Sequence, residues 1–173
     1  MIYLLGYLLT IPLANWFIGH VGDCAHGPCV IPVWWGLYAP SGVLWTGLAF
    51  SLRDAVQERL GRWWTTGTII AGAVLSLAVS DPFVATASGI AFGVSEFADF
   101  AIYTPLRERG YIRAVVASNV VGSAVDSVAF LLIAFGSLDF LAGQLVGKWL
   151  MIVPAMLAVW LWRRRALLIA AVE

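Results

Sequence analysis

The chain has 173 residues, of which 61% are hydrophobic and 12% charged, and its mean hydropathy is +0.90. Soluble domains have roughly 45–50% apolar and about 25% charged residues, and a domain this small cannot hide so much apolar surface from water. The composition excludes a soluble globule and points to an integral membrane protein. Ten basic and ten acidic residues cancel, so net charge says nothing about nucleic acid; the positions of the charges carry the information.

A membrane-spanning helix needs about 20 mostly apolar residues, with a range of about 17–25. Six stretches fit, near 1–19, 40–60, 63–80, 82–104, 112–136 and 138–162, and the expectation is one all-α, six-helix transmembrane domain over 1–173. The first stretch lacks a basic start and an A-x-A-like cleavage site, so it reads as a retained helix, with Asn15 toward its end. After it comes a loop over about 20–39, containing GHVGDCAHGPCVIP. Cys24 and Cys29 with His20 and His26 have the ligand types of a zinc site, but the spacing is not a standard one. On an oxidising outer face a disulfide or two free thiols is the better reading, and an oxidised pair is expected. The loop is placed to act as a lid.

The second stretch is polar in its last two turns, where Gly47, Ser51, Asp54 and Glu58 make a stripe beside Arg53 and Arg59. Gly61-Arg62, Asp81-Pro82, Pro105 to Gly110 and Gly136-Ser137 mark the later breaks. Strands are not expected, because the apolar runs are continuous rather than alternating. Arginines cluster at 53–62, 107–113 and 163–165, while 20–39, 81 and 137–139 contain no Lys or Arg. By the positive-inside rule both termini face the cytoplasm.

Ionisable residues within membrane spans are costly and usually face the bundle interior. At 1.5 Å per residue, Glu96 lies about 21 Å into the fourth stretch from its outer end, with Asp99 nearer the cytoplasm. Asp126 lies about 20 Å along the fifth and Lys148 about 15 Å into the sixth. Helical spacing puts Ser88, Phe92, Glu96, Asp99 and Tyr103 on one face, and Asn119, Gly122, Ser123, Asp126 and Phe130 on another. Gln144, Lys148 and Met151 line up in the sixth. Four polar stripes imply a shared polar interior.

Each has a plainer reading. Gly89, Gly93, Gly122, Gly143 and Gly147 are read as packing positions, where small residues let helices approach. Arg53, Asp54, Glu58 and Arg59 are equally an interfacial charge cluster, and Asp126 with Lys148 has a structural ion pair as its alternative. Glu96 resists such a reading: no Lys or Arg lies within a turn of it, so it needs a partner from elsewhere or a proton.

PSGVLWTGLAFSLRDAVQERLG, ASGIAFGVSEFADFAIYTPLRERGYIRAVVASNVVGSAVDSVAFLLIAFG, KWLMIVP and the ANW at 14–16 resemble the vitamin uptake transporter family. The likeness covers about positions 14–155. It rests on a proline-led second span ending in Asp54, Glu58 and Gly61, and on an alanine-serine helix ending in Asp99. Arg113, Ser118, Asp126 and Phe130 follow, and then a late Lys148 before a proline. The resemblance implies a six-helix bundle like the substrate-binding subunits of energy-coupling-factor importers. It also implies import of a queuosine precursor, 7-cyano- or 7-aminomethyl-7-deazaguanine, across the plasma (inner) membrane. The expected substrate-binding residues are Glu96, Asp126, Lys148, Asn15, Asn119, Asp99, Trp45 and Phe92.

The chemistry suits such a ligand. A guanine-like edge offers two N–H donors that one carboxylate accepts together, and charge-assisted hydrogen bonds are roughly twice as strong as neutral ones. Aromatic faces for the ring are available at Trp16, Trp34, Trp35, Trp45, Phe92 and Phe130, and Lys148 or Asn15 supplies a donor to the ring carbonyl. No GxSxG, HExxH or Walker-type GxxxxGK[ST] occurs, so neither an enzyme nor a self-contained ATPase is expected. No cofactor, metal or nucleic-acid partner is expected; the partners are the substrate, the bilayer and, as an allowed arrangement, a second copy of the chain. A subunit of an ATP-driven vitamin importer and an intramembrane enzyme are the competing readings.

Overall fold

The computed structural model describes residues 2–25 and 28–170. In chain order it has α1 (Ile2–His20), β1 (Val30–Trp34), β2 (Leu37–Pro40), α2 (Val43–Leu60), α3 (Arg62–Val79), α4 (Pro82–Arg107), α5 (Tyr111–Phe135) and α6 (Leu141–Ala170). The six expected helical stretches all form, and the all-α expectation needs one correction. A two-stranded antiparallel hairpin, in the register Val30–Pro40, Ile31–Ala39 and Pro32–Tyr38, occupies the loop and the start of the presumed second span. The run VIPVW is too short and too β-branched for a helix, and Gly36, at φ +72°, turns the chain. The second helix therefore starts at Val43 rather than near 40.

The breaks read from the sequence have physical causes. Asp81 caps α4, its carboxylate accepting from Phe83 N (2.8 Å) and Val84 N (3.2 Å), with Pro82 at the first helical position. Gly136 ends α5 in the left-handed conformation, at φ 67°. The sixth helix runs past the expected end at 162, to Ala170.

Neighbour contacts close the helices into a ring in the order α1, α3, α4, α5, α6, α2, with α4 and α5 the most extensive pair. Small residues set the closest approaches. A Cβ on Gly47 would lie 2.6 Å from the Lys148 carbonyl oxygen and 2.9 Å from its Cα, so α2 and α6 touch backbone to backbone at Lys148. Gly147 meets Val43 and Val33, and Gly143 packs on the Tyr38 backbone, which seats the hairpin on the start of α6. Gly122 and Gly89 make ordinary contacts, whereas nothing lies within 4 Å of Gly93, which is not a packing position.

Polarity is distributed inside out relative to a soluble fold. Phe83, Phe97, Ile70, Val74, Leu5 and Leu157 are exposed on the outside, while Arg53, Glu96, Asp99, Asp126 and Lys148 are buried. Such an outer surface is stable only against lipid, so the chain is a membrane protein. Among the described residues two helices, over Arg113–Phe135 and Leu141–Ala158, are long and apolar enough to cross a bilayer.

Candidate functional site

Two charged clusters lie inside the ring, both within reach of one phenylalanine. Phe50, on α2, is fully buried, with the Arg53 guanidinium 5.4 Å and the Lys148 ammonium 5.8 Å from its ring centre. Phe92 packs on it at 5.4 Å, and Tyr7 lies 6.3 Å beyond Phe92. Cations over a desolvated ring are held by its quadrupole, so Phe50 stabilises both clusters.

The first cluster is built on Arg53. Its Nη1 donates to Glu96 Oε1 (2.7 Å), Nη2 to Asp99 Oδ1 (3.1 Å) and Asp54 Oδ1 (2.6 Å), and Nε to Asp54 Oδ1 (3.1 Å). The far oxygen of Asp54 accepts from Asn119 Nδ2 (2.9 Å), which also donates to the Val115 carbonyl (2.9 Å). One planar guanidinium thus ties α2 to two turns of α4, and Asp54 ties α2 to α5. The i, i+3 spacing of Glu96 and Asp99 places both carboxylates at the same fork.

The second cluster is Lys148 with Asp126. The ammonium donates to Asp126 Oδ2 (2.5 Å), to Ser127 Oγ (2.7 Å) and, weakly, to the Ser123 carbonyl (3.4 Å). The close crossing at Gly47 sets the position of Lys148, and α5 brings Asp126 and Ser127 opposite. The expected pairing of these two residues across facing helices is present.

Of the eight residues singled out from the sequence, six gather around Phe50: Glu96, Asp99, Asn119, Asp126, Lys148 and Phe92. Asn15 is buried between α1 and α3, where its Nδ2 donates to Ser76 Oγ (3.0 Å). Trp45 packs edge-on against Phe17 at 5.5 Å and is only half-buried. The other aromatic candidates also lie elsewhere: Trp34 and Trp35 are exposed on the hairpin, Trp16 stacks on His20, and Phe130 packs on Phe135.

Sequence reasoning underrated Arg53 and did not weigh Phe50 or Tyr7 at all. The missing partner of Glu96 is Arg53, 43 positions away on another helix, which within-helix spacing cannot find. A signal was present, since Phe50, Arg53 and Asp54 flank the small-residue stripe that turned α2 inward. At the other end of α1, Cys24 and Cys29 form a disulfide. The Cys29 amide donates to the Ile18 carbonyl (2.8 Å) and Ser41 Oγ to the Phe17 carbonyl (2.7 Å), which fastens the loop to α1. No metal-holding group of His, Cys, Asp or Glu exists among the described residues, and His26 lies outside them.

An apolar exterior around a charged, fork-bonded interior is the build of a membrane protein. The sequence profile of the family described as "Putative vitamin uptake transporter" matches residues 79–164, which hold Glu96, Asp99, Asn119, Asp126 and Lys148. No curated protein and no solved structure matches the chain. The chain belongs to the vitamin uptake transporter family and is a transporter of that type.

Proposed function

We propose that the protein imports a queuosine precursor, 7-cyano- or 7-aminomethyl-7-deazaguanine, through a bundle of six membrane-spanning helices. In this reading it lies in the plasma membrane with both termini in the cytoplasm, works without a cofactor or nucleic acid, and acts alone or as a homodimer. One observation carries the reading: the buried carboxylates and amide around Phe50 keep acceptor oxygens to spare. Among the described residues Glu96 is engaged through Oε1 and Asp126 through Oδ2, which leaves an oxygen of each for a ligand. The Asn119 Oδ1 atom is buried and has no partner among those residues. A guanine-like edge, rich in N–H donors, matches acceptors placed beside the tilted pair of Phe50 and Phe92 rings.

Glu96 and Asp99 take the N–H donors in this scheme, Arg53 holds both carboxylates in place, and Lys148 holds Asp126 beside them. The test is a thermal-shift screen of the purified protein with the two deazaguanines, guanine and water-soluble vitamins, since a ligand that binds the folded state raises its melting temperature. Stabilisation by the deazaguanines above the others supports the proposal; a shift only with another vitamin class overturns it. Uptake by cells that express this chain and lack coupling ATPases separates a self-sufficient carrier from a subunit of an ATP-driven importer.

A further inference from the structure

We propose that the carboxylates around Arg53 form a proton-binding site, and that import is coupled to the proton it carries. The coupling rests on the importer reading above; the proton site does not.

The first observation is a charge count. Among the described residues Arg53 is the one cation bonded to three carboxylates, Asp54, Glu96 and Asp99, and it is 1% exposed. The nearest other buried cation, Lys148, is committed to Asp126, Ser127 and the Ser123 carbonyl. With every carboxylate ionised the cluster would carry two uncompensated negative charges around a buried guanidinium, with Glu96 and Asp99 buried and the Asp54 side chain 22% exposed. Burial disfavours that state, and carboxylates crowded on one site relieve it by taking up a proton.

The second observation is independent of charge. Asn119, 1% exposed, spends its Nδ2 on Asp54 and the Val115 carbonyl, while its Oδ1 has no donor among the described residues. The hydroxyl of Tyr7, wholly buried, is likewise unpartnered among them, within electrostatic reach of Glu96, Arg53 and Asp54. The amide that already donates to Asp54 thus carries an acceptor with room for a donor, which a carboxyl O–H supplies when no substrate is bound, because a buried carbonyl left without a donor is costly. A metal ion does not meet the same need: no three His, Cys, Asp or Glu side chains among the described residues are arranged to hold one.

The groups within electrostatic reach of the cluster are Tyr7 on α1, Glu58 on α2, Tyr103 and the exposed Arg107 on α4, Asn119 and Asp126 on α5, and Lys148 on α6 beside Phe50. The buried polar side chains of α3 are Thr65, Thr68 and Ser76, none of which titrates. In a transport cycle the proton arrives from the outer side and takes the cluster from a charge of −2 to −1. It then leaves toward the cytoplasm, and no bond to the substrate is made or broken.

The direct test is infrared spectroscopy of the purified protein in lipid, titrated with acid and base and exchanged into D2O. A protonated carboxyl band at neutral pH is expected. It should be unaffected by exchanging sodium for choline, absent in at least one of Asp54→Asn, Glu96→Gln and Asp99→Asn, and retained in Asp126→Asn. The wild-type titration needs no variant to fold. No band at neutral pH, a band lost only in Asp126→Asn, or a band that sodium abolishes would each overturn the proton site. For coupling, proteoliposomes are given radiolabelled 7-aminomethyl-7-deazaguanine. An inward gradient of one pH unit should raise equilibrium accumulation about tenfold for one proton per substrate, and a protonophore should collapse it. Uptake indifferent to the gradient overturns the coupling. No uptake of the probe under any gradient removes the importer reading and the coupling with it, while the infrared band still decides the proton site.

Discussion

Arg53→Lys keeps the charge of Arg53 and removes its shape, so it tests whether the fork or the charge holds the interior together. The arginine makes two bonds across to α4, to Glu96 at 2.7 Å and Asp99 at 3.1 Å, besides two to the adjacent Asp54. A lysine ammonium is a compact point charge without the planar five-donor fork and cannot span the same three carboxylates. Hydrogen bonds to charged groups contribute about 1.5–3 kcal/mol each, so losing both cross-helix bonds removes about 3–6 kcal/mol. The retained attraction returns part of that, and we expect Arg53→Lys to destabilise by about 2–4 kcal/mol. Arg53→Met, which leaves the carboxylates without any cation, should cost at least the 3–5 kcal/mol typical of breaking a buried pair. Equilibrium unfolding in mixed detergent micelles, followed by circular dichroism, gives both values. The reasoning also requires coupling: in a Glu96→Gln, Asp99→Asn background Arg53→Met should cost less, because its partners have lost their charge. An Arg53→Lys variant within about 0.5 kcal/mol of wild type would refute the fork as a structural element.

Lys148→Met should destabilise by about 3–5 kcal/mol because Asp126 is left buried and unpaired, while adding Asp126→Asn should restore stability but not uptake. A double mutant with normal uptake would make the pair purely structural. Gly47→Ala should cost about 1–3 kcal/mol by pressing a methyl group against the Lys148 backbone, whereas Gly93→Ala, with open space around it, should be tolerated; equal melting temperatures for the two variants would contradict the backbone contact. The Cys24–Cys29 disulfide should appear as a pair blocked to alkylation without reductant. Its removal by Cys24→Ser should cost about 2 kcal/mol, the chain-entropy value for a loop of this length; two freely alkylated thiols would sink this. A reporter fused after Glu173 should be active only if it works in the cytoplasm, and one active only outside the cell would reverse the proposed orientation.

Helix placement was legible because it depends on local chemistry. Asp81-Pro82 and Gly136 act where they stand in the chain, through a cap and a left-handed turn, so the breaks they mark appeared where expected. The hairpin was not legible as a hairpin: Trp35-Gly36 is a weak turn signal, and the strands are held by Cys29, Ser41 and α6, all non-local partners. The site divides along the same line. Periodicity identified which face of each helix turns inward, and so found Glu96, Asp99, Asn119, Asp126 and Lys148. Depth arithmetic brought Asp126 opposite Lys148, because both lie on helices of nearly full membrane length whose ends are marked by glycine or proline. It gave no partner for Glu96, because Arg53 looks like an interfacial residue when depth is counted along α2. Asp54, Glu58 and Arg59 crowd the same two turns and blur where the membrane would end. What sets Arg53 apart is its neighbour three positions back: Phe50 offers its ring to the guanidinium from within the bundle, turning the side chain inward toward α4. An arginine one turn after a buried aromatic, on a helix whose small residues already face inward, is therefore better read as interior than as interfacial. The same rule would have supplied the partner that Glu96 lacked.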